Sequence, residues 1–133
     1  MRHRHLTTLA APAMAAVLAL ASSAAFGDES STPLLKTPLK GMDGMEANIM
    51  LVEVPPGFQT ERHLHPGHVF LYVLEGAIEV ALEGREPLRL AAGDAGYEIP
   101  NTPMVGRNLS ATEGARFVIM QIGPAGEPLT VPQ

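Results

Sequence analysis

Three histidines fall in one short window, His63-Leu-His65-Pro-Gly-His68, between the Pro55-Pro56-Gly57 break and a long apolar run. The other two, His3 and His5, stand at the start of the chain. Imidazole is the commonest protein ligand for transition ions near neutral pH, and side chains two apart on a strand share a face. His63 and His65 would therefore project together into whatever that strand encloses. The clustering suggests a metal or small-molecule site inside a β-barrel. A hydrogen-bonded pair lining a metal-free pocket is the plainer alternative. No phosphate-binding glycine loop, nucleophile with a partner base or glycosidase-type pair of carboxylates accompanies it.

The elements that must position these rings are short. From Ala47 onward, apolar runs alternate with Gly, Pro and Asn, and predict strands at Asn48–Val54, Val69–Leu74, Ala77–Leu82, Pro87–Leu90, Ala95–Ile99, Met104–Arg107 and Arg116–Ile122. Such spacing, without a helical period, predicts an all-β sandwich or barrel. In Ala77–Glu83, Ile78, Val80 and Leu82 alternate with Ala77, Glu79, Ala81 and Glu83, which predicts one buried and one wet face. Val69–Leu74 is apolar on both faces, as suits a strand between the barrel interior and a second sheet or a partner subunit. Residues 28–46 are rich in Ser, Thr, Pro, Lys and Gly and are expected to be an arm packed on the barrel.

The first 27 residues have the pattern of a secretory signal. Arg2 and Arg4 precede an uncharged stretch from Leu6 to Phe26, and small residues then mark a cleavage site before Asp28. A membrane anchor is the alternative, but Pro12 interrupts the run and Ala and Ser are weakly apolar, so no stable anchor is expected. The expected location is secreted or periplasmic. There is no cysteine, which excludes disulfides and lipid attachment through a thiol. Loss of Arg2 and Arg4 would leave 7 basic against 14 acidic residues, a balance that repels nucleic acid.

Two spacings carry a family resemblance. Gly57, His63, His65, Val69 and Gly76 follow G-x5-H-x-H-x3,4-E-x6-G, and Gly93, Ile99, Asn101, Met104 and Asn108 fall on G-x5-P-x-G-x2-H-x3-N. The chain thus resembles the cupin superfamily, the small RmlC-like jelly-roll barrels that hold metals in their interior. The resemblance implies an all-β, single-domain cupin jelly-roll barrel over residues 47–123, following the signal segment 1–27 and the arm 28–46. A tail, 124–133, would close the chain. It also implies a homodimer, a small-molecule ligand or substrate, and a divalent transition metal such as Fe, Mn, Zn, Ni or Cu.

The ligand set that the resemblance implies is incomplete. His63 and His65 are present, but Val69 stands at the Glu position and Met104 at the second motif's His position. Three residues are candidates to refill it. The Met104 thioether suits soft ions such as Cu(I), though methionine is first a core filler. Glu98 sits where a buried strand would carry an apolar residue, so its carboxylate is a replacement for the one missing at Val69, unless it faces solvent. His68 lies one place before the Glu position and would face away from His63 and His65 unless a bulge at Pro66-Gly67 turns it inward. Asn108, at the motif's closing Asn, is expected to be structural.

Three functions follow from these residues: a metal-dependent enzyme acting on a small organic molecule, a non-enzymatic ligand-binding module, or copper handling that also draws on Met42, Met45 and Met50. Whether the protein is an enzyme is left open by the sequence.

Overall fold

Strand alternation and close pairing set the architecture, which the computed structural model describes for residues 28–133. The expected signal, residues 1–27, lies outside the described residues. One five-stranded antiparallel sheet runs in the order β1 (Ser30–Pro38), β2 (Met45–Val54), β9 (Ala115–Pro124), β4 (His68–Glu75) and β7 (Ala95–Glu98). The other runs β10 (Val131–Pro132), β3 (His63–Leu64), β8 (Met104–Asn108), β5 (Ala77–Leu82) and β6 (Leu88–Ala91). From β2 onward the chain passes repeatedly between the sheets. Among the described residues there is no helix. This is the all-β, two-sheet jelly roll that the sequence predicts.

The core forms where the two inner faces meet. On β4, Val69, Leu71 and Val73 point inward and are buried, while Phe70, Tyr72 and Leu74 point outward and are exposed. Val52 and Val54 of β2, Phe117 of β9, Ile78 of β5 and Leu90 of β6 complete one apolar cluster. Burying such branched side chains contributes roughly 1.5–3 kcal/mol each. Met104, Val80 and Leu82 form a second cluster.

Two strands lie where the sequence suggested none. The expected arm contributes β1, which pairs with β2 from Ser30↔Glu53 to Pro38↔Glu46. The expected tail contributes β10, whose Val131 and Pro132 pair with Leu64 and His63. Both are edge strands, where backbone pairing tolerates the Pro and Lys that weaken a strand signal. The expectation of a wet outer face on β5 is corrected at Glu79, which is only 5% exposed. Its cross-strand neighbours Arg89 and Arg107 cover it, with guanidinium Nε atoms at 2.7 and 3.1 Å.

Tight approaches fix the segment that carries the histidines. At Gly67 an added Cβ would lie 2.5 Å from the Ile122 carbonyl oxygen and 2.9 Å from the Gly123 Cα, so only glycine lets the Pro66-Gly67 turn sit on β9. Asn101 is the one non-glycine residue described with positive φ, 55°, and it stands at the glycine of the second motif spacing. Its N–H donates to the His65 carbonyl at 2.8 Å. Asn108 clamps the neighbouring loops, donating from Nδ2 to the Pro55 and Glu113 carbonyls and accepting from the Ser110 N–H.

Candidate metal and ligand site

A cavity of about 820 Å³ opens between the inner faces. The register of the first sheet grades its wall. Glu98, Val69, Gln121 and Asn48 stand side by side across β7, β4, β9 and β2. The next inward-facing row is Gly96, Leu71, Ile119 and Met50, and beyond it lie Val73, Phe117 and Val52. Polar groups thus gather at one end and hydrocarbon fills the other. From the opposite sheet, His63 and Met104 pair across β3 and β8 and face the same cavity.

Each imidazole is oriented by a backbone carbonyl. His63 Nδ1 lies 2.8 Å from the Glu61 oxygen, and His65 Nδ1 lies 2.7 Å from the Leu129 oxygen. A carbonyl only accepts, so each Nδ1 carries a proton, and the lone pair of either ring in its neutral form is on Nε2. Burial holds the His65 pKa below its ordinary value, against the Leu129 hydrogen bond, which raises it; nearby His63 lowers it further. His65 is therefore neutral at pH 7. The two rings meet edge to face, with centroids 5.0 Å apart.

Glu98 is the residue that makes this cluster more than a histidine pair. It is 4% exposed, and burial pushes its carboxyl up to about 7. Its Oε2 lies 3.5 Å from His65 Nε2 and has no hydrogen-bond partner. With His65 neutral this contact is not an ion pair. Two acceptors face each other, and a proton on Glu98 or a cation beside both would relieve them.

The structure places the other candidates as follows. Met104 is buried against Val80 and Leu82 while lining the cavity beside His63. His68 is on the outer face, where its Nδ1 lies 2.7 Å from the Tyr97 hydroxyl and its ring stacks on Tyr97. It takes no part in the interior cluster. Met50 lines the cavity, whereas Met42 is exposed in the turn between β1 and β2.

Sequence inspection overlooked Gln121. It is 3% exposed, lines the cavity, and its Oε1 lacks a partner. The signal was available: Phe117, Ile119 and Gln121 share one strand face, so a core-facing Phe117 puts a lone amide inside. It also overlooked Leu129, whose carbonyl orients His65, because nothing marks a backbone group in a sequence.

Tested against this geometry, a divalent transition ion suits the donor types: two imidazole lone pairs and an unpartnered carboxylate oxygen. The spacing is looser. Among the described residues no three or more His, Asp or Glu side chains are gathered closely enough to hold an ion. The convergent pair is His65 and Glu98.

The chain is a double-sheet antiparallel barrel that encloses a cavity with polar side chains gathered at one end. The signature of the family described as "Cupin domain" matches residues 50–120, just over half of the chain, and the protein belongs to that family. No curated protein sequence matches significantly. Among solved structures, the fold is similar to that of a DMSP lyase, DddQ, from Ruegeria pomeroyi (23% identity, TM-score 0.63). That match covers 80% of this chain and 52% of the lyase, so the chain spans about half of that enzyme. It is also similar to an uncharacterized double-stranded β-helix protein from Klebsiella pneumoniae (20% identity, TM-score 0.61, 80% of this chain and 86% of that one). A third likeness is an RmlC-like cupin from Methanocaldococcus jannaschii (22% identity, TM-score 0.58, 72% and 80%). At these identities the likeness is one of fold.

Proposed function

We propose that this cupin is an exported small-molecule-binding protein whose cavity takes a divalent transition ion at the convergent pair His65 and Glu98, with the His63 ring 5.0 Å from that of His65 as the next donor. The observation that carries this reading is the unpartnered Glu98 Oε2 beside the His65 Nε2 lone pair, in a chain that fixes both histidine tautomers with backbone carbonyls. The bound ion would supply Lewis acidity toward an oxygen of the ligand. The chain's own contribution is to hold two imidazoles in fixed orientation, to exclude water with the apolar rows, and to keep a proton on Glu98 until a cation replaces it.

Elemental analysis of natively purified protein, repeated on His63→Ala plus His65→Ala, tests this. Stoichiometric transition metal lost in the double variant supports the reading. Wild-type protein that takes up none from Mn, Fe, Ni, Cu or Zn overturns it. A second reading, a metal-free binding module, is favoured by the looseness of the donor cluster and by Val69 and Met104 at the motif's Glu and His positions. It predicts ligand stabilisation of metal-free protein without turnover.

The outer face of the first sheet supports pairing with a second copy. Leu35, Ile49, Met120, Phe70 and Tyr97 form one row across all five strands, and Leu51, Val118 and Tyr72 stand in the next. Phe70 and Tyr72 are 40% and 48% exposed. Strands of 9, 10, 10, 8 and 4 residues, at about 3.4 Å per residue and about 4.8 Å between strands, give a face of about 670 Å², near the roughly 800 Å² per partner of a standard interface. Export rests on the N-terminal pattern alone. Fractionation of cells expressing the full chain tests it, and retention in the cytoplasm would refute it.

A further inference from the structure

We infer that the organic ligand of this cavity is a small, largely hydrocarbon molecule bearing one neutral hydroxyl or amide group, which the Gln121 carboxamide recognises. The inference rests on the proposal that the cavity is a ligand site and adds the class of ligand. Gln121 Oε1 is buried without a partner. Neither cross-strand neighbour bonds it: Val69 is apolar, and the hydrogen bond that Asn48 Nδ2 makes goes to Glu46 at 3.2 Å. An unmade hydrogen bond in so buried a place is costly, and a ligand O–H or N–H regains it.

Beyond Gln121 the same face of the sheet lines the cavity with Leu71, Ile119, Met50, Phe117 and Val52, which take a hydrocarbon body. An anionic head group is disfavoured by what lines the space. Arg62 and Arg107 are each paired with a glutamate, Glu83 and Glu79, so neither cation lacks a counter-charge. A carboxylate, which has no donor, would leave Gln121 Oε1 unpaired. A hydroxyl or amide can donate to Gln121 and accept from it.

Three isosteric probes test this by calorimetry on the full chain: 4-ethylphenol, ethylbenzene and 4-ethylbenzoate. The wild type is expected to bind 4-ethylphenol at least about tenfold more tightly than either of the others, because a site built for a polar group rejects analogues lacking it. In Gln121→Met the lead over ethylbenzene should fall to within about threefold. Ethylbenzene or 4-ethylbenzoate matching the phenol on wild type would overturn the inference, as would no binding of any probe. A lead that survives in Gln121→Met would do the same. The wild-type ranking needs no variant, so a folding defect in Gln121→Met leaves the test standing. Metal content measured on the same preparations separates the two claims. Metal-free protein with the expected ranking removes the ion and supports the ligand class. Metal-bearing protein without the ranking overturns the ligand class alone.

Discussion

Replacing Glu98 by glutamine should convert a pH-dependent protein into a pH-tolerant one. The Glu98 carboxyl titrates near 4.5 when exposed and at about 7 when buried in the fold. Below pH 4.5 it is protonated in both states and costs nothing. Between the two values the unfolded chain ionises while the folded chain keeps its proton, so wild-type stability falls as pH rises. Above 7 both states are ionised and the loss is complete. At 1.36 kcal/mol per pKa unit the span amounts to about 3 kcal/mol. A carboxamide has no such proton, so the advantage of Glu98→Gln in metal-free buffer should grow by about 3 kcal/mol from pH 4.5 to 8. The depressed pKa of His65 acts with the opposite sign: its contribution is present above about pH 6.5 and is lost as pH falls through the lower folded value. That slope occurs in both proteins and largely cancels in the comparison. Urea unfolding followed by circular dichroism at four pH values, with chelator present, measures the difference. Saturating zinc or manganese should reverse the wild-type slope, since an ion needs the carboxylate ionised, and the Glu98→Gln variant should forfeit that gain. A stability gap that stays constant from pH 5 to 8 would refute the assignment of Glu98 as a buried, protonated carboxyl.

Two further outcomes follow from the sheets. Gly67→Ala places a methyl group against the Ile122 carbonyl and the Gly123 backbone, neither of which can rotate aside, so a loss of about 1–3 kcal/mol is expected; an unchanged urea midpoint would show that the turn can withdraw from β9. Phe70→Arg puts a charge in the centre of the outer apolar face and should turn dimers into monomers in sedimentation velocity, while Phe70→Leu keeps them paired. Wild-type protein that sediments as a monomer at about 100 µM, the concentration at which even a weak interface with a micromolar Kd would be filled, counts against that face as an interface.

How much of this was legible in the residues depends on which force fixed each group. Parity along a strand is a local steric property, so the outward turn of His68 and the inward turn of Val69, Leu71 and Val73 could be derived before any coordinates. Parity would also have delivered Gln121. The pairing of strands is not local, and there the residues are silent. Glu98 stands beside Val69, the position where the motif has its carboxylate, because β7 runs antiparallel to β4 in a register that sets the two side by side. Nothing in the Gly-Tyr-Glu-Ile-Pro stretch states that register. The same holds for Glu79, whose alternation with Ile78 and Val80 predicts solvent. Two arginines from β6 and β8 meet over it and take the place of water. β1 and β10 escaped notice for a related reason: an edge strand is held by its neighbour's backbone and needs little β propensity of its own. The consequence for the site is specific. The two histidines announce themselves by type and spacing, but the groups beside His65 come from distant parts of the chain: the Leu129 carbonyl that sets a tautomer and the Glu98 oxygen that lacks a partner.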